Sequence, residues 1–169
     1  VRVIIDSREQ RPYSFTAWPE VEVFQGALQT GDYSLVGLTD RVALERKSLD
    51  DLTGTLTAGR ERFAAECQRG RGLDLFGLVI EASLDDILGH RYQSRVAPQS
   101  LVQTLAAWSV RFGFSVWFAG NRQGGELMVH SLLSKYLREA RGRLDAIIKA
   151  HEGGPARSIE RAPAAGQGA

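Results

Sequence analysis

Gly31-Asp32-Tyr33 and, further along, Val42-Ala43-Leu44-Glu45-Arg46-Lys47 are the stretch on which the fold turns. Residues 33–36 and 41–47 read as two antiparallel strands, with 37–40 as the turn between them. Successive side chains on a strand point to opposite faces, so Glu45 and Lys47 share one face and Arg46 takes the other. Asp32 stands at the mouth of the first strand, thirteen residues before Glu45. A closed hairpin would bring two carboxylates and one ammonium to one spot. Mg²⁺ prefers hard oxygen ligands, keeps several waters, and completes its shell with one or two carboxylates and a substrate phosphate. It lowers the pKa of a bound water and neutralises charge on phosphate oxygens. A lysine beside it can position that water. Asp32, Glu45 and Lys47 therefore match what metal-assisted phosphodiester hydrolysis requires. The same letters also make ordinary surface charge next to a Gly-Asp turn, and Glu-x-Lys alone does not separate the two.

Working outward, residues 1–5 are apolar and β-branched and read as a strand with a charged exit at Asp6-Ser7-Arg8-Glu9. A carboxylate at a strand's C-terminal end suits a functional site, and it suits a plain turn equally. Residues 21–24 make a short strand, and 27–30 an extended approach to Gly31. Ser48 is a good helix N-cap with Asp51 three residues on. Asp51 is open to two roles, cap or support for Lys47. A helix is expected over 52–68, interrupted around Gly54 and Gly59, and segment 59–71 carries Arg60 and Arg62 near its beginning and Arg69 and Arg71 at its end. Those arginines fit a solvated face or phosphate contact.

The apolar run 75–81 reads as a strand covered on both sides. Ser83 caps a short helix, Pro98 opens one to Phe112, and 114–119 is another strand. A last helix covers about 125–150. Met128, Leu132, Leu133, Tyr136 and Leu137 are expected on its buried side, extended by Leu144, Ile147 and Ile148. The expected architecture is α/β: a mixed central sheet flanked by helices on both faces.

The chain of 169 residues has a net charge of +1, so any site for a polyanion must come from local clustering. The single Cys67 excludes an intrachain disulfide and a thiolate metal cluster, which suits a reducing, intracellular compartment. No apolar run is long enough to span a membrane. Residues 1–150 are expected to form one domain, and 151–169, rich in Ala, Gly, Pro and Arg, a disordered tail.

With these residues in place, the chain resembles the nuclease domain of the XPF/Hef-type structure-specific endonucleases of the PD-(D/E)XK superfamily. Four blocks carry the likeness in the family's order: Val3-Ile4-Ile5-Asp6-Ser7-Arg8-Glu9, Gly31-Asp32-Tyr33, Leu44-Glu45-Arg46-Lys47-Ser48-Leu49-Asp50-Asp51-Leu52, and Gly59-Arg60. The resemblance implies a restriction-endonuclease-like fold and a divalent-metal-dependent endonuclease that cuts branched DNA, at flaps or forks, in repair or recombination. It implies Mg²⁺, with Mn²⁺ as a substitute, bound by Asp32, Glu45 and the Arg46 main-chain carbonyl, and Lys47 as the catalytic lysine. Asp6 and Glu9 would complete the acidic site with Arg8 beside them. Asp51 would buttress it, and Arg60 would face DNA. Family members pair as homodimers or with a related protein, and often continue into a tandem helix-hairpin-helix module, which residues after Ala150 do not provide. The expected location is cytoplasm or nucleoid in a bacterium or phage, nucleus in a eukaryote. A non-catalytic DNA-binding or scaffold module, or a nuclease acting on ordinary duplex, are the alternatives.

Overall fold

The computed structural model describes residues 1–152. Its residues Val1–Tyr136 form one compact unit; a second unit begins at Leu137. The elements run β1 (Arg2–Asp6), β2 (Glu22–Gly26), β3 (Tyr33–Leu35), β4 (Val42–Lys47), α1 (Leu49–Leu56), α2 (Arg60–Gly70), β5 (Leu75–Ile80), α3 (Leu84–Leu88), α4 (Pro98–Phe112), β6 (Ser115–Phe118) and α5 (Arg122–His151). The six strands form one sheet in the order β2-β1-β3-β4-β5-β6.

β3 and β4 pair antiparallel, as the hairpin reading expects, and β1 pairs antiparallel with β3. β2 departs from this pattern. It lies parallel to β1 on the outer edge of the sheet. Residues 7–21 are a connection long enough for the crossover that parallel pairing needs. β4, β5 and β6 are also parallel, each separated from the last by helices. Segment 27–30, the approach to Gly31, runs outside the sheet, and Leu28 gives its N–H to the Asp6 carboxylate (2.8 Å).

Alternation along the strands sorts the interior into two layers. On one face Ala43, Leu78 and Ile80 join Leu52 of α1, Phe63 of α2 and Leu101 of α4 in a single apolar cluster. On the other face Tyr33 stacks on Tyr13 at 5.1 Å, and Phe15 meets Tyr33 edge-on. The start of α5 closes over this second layer. It comes so near that a Cβ on Gly125 would sit 2.2 Å from the Tyr13 hydroxyl.

Helix boundaries show where local chemistry decides. Ser48 caps α1, its Oγ accepting the Asp51 N–H (3.2 Å), and Ser83 makes a reciprocal capping box with Asp86. Gly54 does not interrupt α1; the break falls at 57–59, before α2. Gly113, at φ 72°, ends α4 in the left-handed conformation. In α5 the buried positions are Gly125, Val129 and Leu133. Met128 and Leu132 are half-buried, while Leu144, Ile147 and Ile148 are exposed, contrary to the expected buried stripe. Helical spacing identifies a face but not whether anything covers it. Among the described residues no helix is long and apolar enough to cross a membrane. The expected tail lies outside the described residues apart from its first two positions.

Candidate active site

The strand pair β3–β4 opens in a specific way. Tyr33 sits opposite Leu44, and the Asp32 N–H still reaches the Leu44 carbonyl (2.9 Å). Two residues further along β4, the Arg46 N–H meets the Asp32 carboxylate at 2.8 Å and not another strand. The N–H and C=O of one strand residue face the same edge, so the Arg46 carbonyl points to the Asp32 side as well. Gly31 makes the bend possible. It holds φ 73°, and a Cβ there would lie 3.0 Å from the Leu44 oxygen and 3.1 Å from the Ala43 Cβ. Its N–H donates to Glu66 of α2 (2.9 Å).

Glu45 and Lys47 project from β4 toward α1 and α2, with the Lys47 ammonium donating to the Glu45 carboxylate. Together with Asp32 they line a cavity of about 320 Å³ at the C-terminal ends of β1 and β4. Asp6 and Arg8 contribute from the exit of β1, and Arg62, Glu66 and Arg69 from α2. A second groove, of about 690 Å³, runs between α1 and α2 past Asp50, Gly54 and Gly59. Lys47 and Arg62 line both.

Burial governs the electrostatics. It pushes the Asp32 carboxyl up to about 6, against the opposing pull of the Arg46 N–H and Lys47. Burial, and then the Asp32 charge, lift Glu45 well above the usual carboxylate range. Burial works against the Lys47 charge, but Glu45 and Asp32 outweigh it and raise its pKa, so it stays an ammonium. Two carboxylates whose charged forms burial and mutual repulsion disfavour are a natural seat for a dication, which removes the repulsion. Among the described residues no three His, Cys, Asp or Glu side chains are grouped to hold a metal. The donors offered are two carboxylates and one carbonyl. That set suits Mg²⁺, which keeps several waters of its own.

The other residues singled out in the sequence divide. Asp6 is 3% exposed and fully occupied: Arg8 grips both its oxygens at 2.8 Å, and the Leu28 N–H takes the rest. The Arg8 hydrogen bonds bring its carboxyl down to about 2. Glu9 is not in the cavity. It pairs with the Arg46 side chain on the other face of β4 (3.3 Å). Arg46 also holds Glu81 (3.0 Å), which accepts from Tyr13 and is paired with Arg122 (3.2 Å). Asp51 accepts from the Ser48 hydroxyl (2.6 Å) and lines the groove near Lys47. Arg60 lies over the Trp108 ring, 5.0 Å from its centre, and not in the cavity wall. Sequence reasoning missed Glu66 and Glu81. Glu66 carried one signal, its place between Arg62 and Arg69 on a single helical face; Glu81 carried none, since its partners are distant in the chain.

A mixed sheet with an acid-and-lysine centre at the β3–β4 opening defines a restriction-endonuclease-like fold. The chain belongs to the ERCC4 domain family, which matches residues 5–132. Among solved structures it is similar to XPF from Aeropyrum pernix, at TM-score 0.63 and 24% identity over 89% of this chain and 73% of that one. It is also similar to XPF from Aeropyrum pernix in complex with DNA, at TM-score 0.64 and 26% identity over 82% of this chain and 66% of that one. No curated protein sequence matches it.

Proposed function

We propose that the chain is a divalent-metal-dependent DNA endonuclease that hydrolyses a phosphodiester near a junction between double- and single-stranded DNA. The reading rests on one observation: Asp32, Glu45 and Lys47 line one cavity, with the Arg46 carbonyl on the same edge as Asp32. Membership in a nuclease family and the likeness to an XPF in complex with DNA support it. Asp32, Glu45 and the Arg46 carbonyl would hold Mg²⁺ or Mn²⁺. A bound dication supplies a more acidic water and neutralises charge on the phosphate. Lys47, charged and held by Glu45, orients the attacking water and stabilises the anion that develops as its oxygen bonds to phosphorus. The bond to the leaving sugar oxygen breaks as that bond forms; the water gives up a proton and the leaving oxygen gains one. Glu9 and the Arg46 side chain act at one remove, by fixing β4 from behind.

Cleavage of flap, fork and linear duplex DNA with Mg²⁺ or Mn²⁺, beside Asp32→Ala and Lys47→Ala, tests the reading. The expected outcome is cutting of branched DNA and loss of about a hundredfold or more in each variant. No product from the native chain on any substrate, or full activity in both variants, would overturn it. Equal rates on branched and linear DNA would replace the branched substrate with ordinary duplex.

A further inference from the structure

The floor of the cavity is acidic. Asp32, Glu45 and Glu66 all face it, and a polyanion will not enter such a place without counter-charge. The counter-charge comes from α2. Arg62, Glu66 and Arg69 are spaced as i, i+4 and i+7, which puts them on one face of the helix, and all three line the cavity. Seven residues of helix span about 10 Å. Glu66 is tied down at the middle by the Gly31 N–H, which fixes the rotation of α2 about its axis. The two arginines therefore flank Glu66 along the cavity wall.

Their states differ in a useful way. Arg69 is steadied by its Nε, which donates to the Gln29 carbonyl (3.1 Å), while its terminal nitrogens make no hydrogen bond among the described residues. Arg62 has no hydrogen-bond or ion-pair partner among the described residues. It lines both the cavity and the adjoining groove, as Lys47 does. A chain crossing the cavity past Lys47 would thus continue into the groove past Arg62. Side chains there are short at Gly54, Ala58 and Gly59, and the two carboxylates of the groove are engaged, Asp50 by the Gln93 N–H (3.2 Å) and Asp51 by the Ser48 hydroxyl (2.6 Å).

Resting on the nuclease reading above, we infer that Arg62 and Arg69 form a two-point clamp for one DNA strand, each holding a phosphate on one side of the scissile position. Arginine suits this task because its planar fork grips phosphate through two hydrogen bonds. The strand passes over the site and leaves by the α1–α2 groove. Arg60, over Trp108, and Arg71, which lies outside the cavity, take no part.

The test is the affinity of the native chain, Arg62→Ala, Arg69→Ala and Arg71→Ala for a fluorescent forked DNA, measured in Ca²⁺ across a salt series. Steady-state cleavage in Mg²⁺ accompanies it. Arg62→Ala and Arg69→Ala should each weaken binding about five- to tenfold and lower the salt slope by about one. They should raise KM and leave kcat within about twofold. Arg71→Ala should match the native chain. Because Arg62 has no partner to lose, its variant should also melt where the native chain does. A native chain that cuts DNA while both clamp variants keep its affinity and salt slope overturns the clamp and leaves the nuclease reading standing. Arginine-dependent binding with no cleavage under any condition keeps the clamp and overturns the nuclease reading. No binding by the native chain overturns the clamp.

Discussion

Asp32 does two jobs with one carboxylate: it continues the β4 ladder by accepting the Arg46 N–H, and it faces Glu45 across the cavity. Its proton is held more tightly in the folded chain, at about 6, than at the ordinary 3.8. Such a group favours the fold fully below its unfolded pKa, and that contribution is lost as pH rises through 6. Over that range the loss is on the order of 3 kcal/mol. Asp6 has the opposite sign, but its window closes below pH 4. Metal-free protein should therefore unfold at a lower temperature at pH 7.5 than at pH 5. Added Mg²⁺ should restore more at pH 7.5; a thermal-shift series with and without EDTA reads this directly. An equal Mg²⁺ effect at both pH values would argue against binding at these carboxylates. Gly31 is the second sensitive position. Its left-handed φ and the 3.0 Å approach to Leu44 leave no place for a side chain. Gly31→Ala should destabilise the fold by about 1–3 kcal/mol, and it should weaken Mg²⁺ binding by displacing Asp32. Urea unfolding and metal titration separate these two effects.

β4 works as a divider, with the cavity on one face and a buried ion network on the other. Glu9, Arg46 and Glu81 have side chains only 6–7% exposed, so their charges must answer one another. Removing Arg46 would leave Glu9 without its buried partner, which typically costs about 3–5 kcal/mol. Arg46→Met should thus lower stability by that order, measured by urea unfolding, and disturb Asp32 from behind. Arg46→Lys should recover only part of it, since one ammonium cannot span both carboxylates. At the start of α1 the effect is smaller. Ser48→Ala removes the acceptor for the Asp51 N–H and should cost about 1 kcal/mol, with little change in a cavity that Ser48 does not line. Capping, turn and strand signals of this kind act within a few residues. That is why the β3–β4 hairpin, the Ser83 cap and the end of α4 at Phe112 are all legible in the sequence. The network behind β4 was not, because Glu9, Arg46, Glu81 and Arg122 are far apart in the chain and carry no spacing pattern.

Taken as a whole, the molecule has almost no net charge, and neither does its cavity. Asp6, Asp32, Glu45 and Glu66 are matched by Arg8, Lys47, Arg62 and Arg69. A dication would tip that balance toward positive and leave the clamp arginines acting on phosphate without an opposing floor. DNA affinity should therefore rise about tenfold when Ca²⁺ replaces EDTA at fixed ionic strength, with the gain abolished in Asp32→Ala. Fluorescence anisotropy checks it, and an affinity indifferent to Ca²⁺ would contradict it.

Periodicity and turn chemistry were enough to establish an α/β sheet, the facing of Glu45 and Lys47, and the caps of the helices. These depend on neighbours in the chain, and alternation along a strand obeys a fixed period. Folding in three dimensions settled the rest. It turned β2 parallel to β1, seated Glu9 behind β4, occupied Asp6 with Arg8, and brought Arg62, Glu66 and Arg69 of α2 over the site. Each of these is a pairing between segments that local sequence leaves unrelated, made by backbone hydrogen bonds for β2 and by matched charges for the buried side chains.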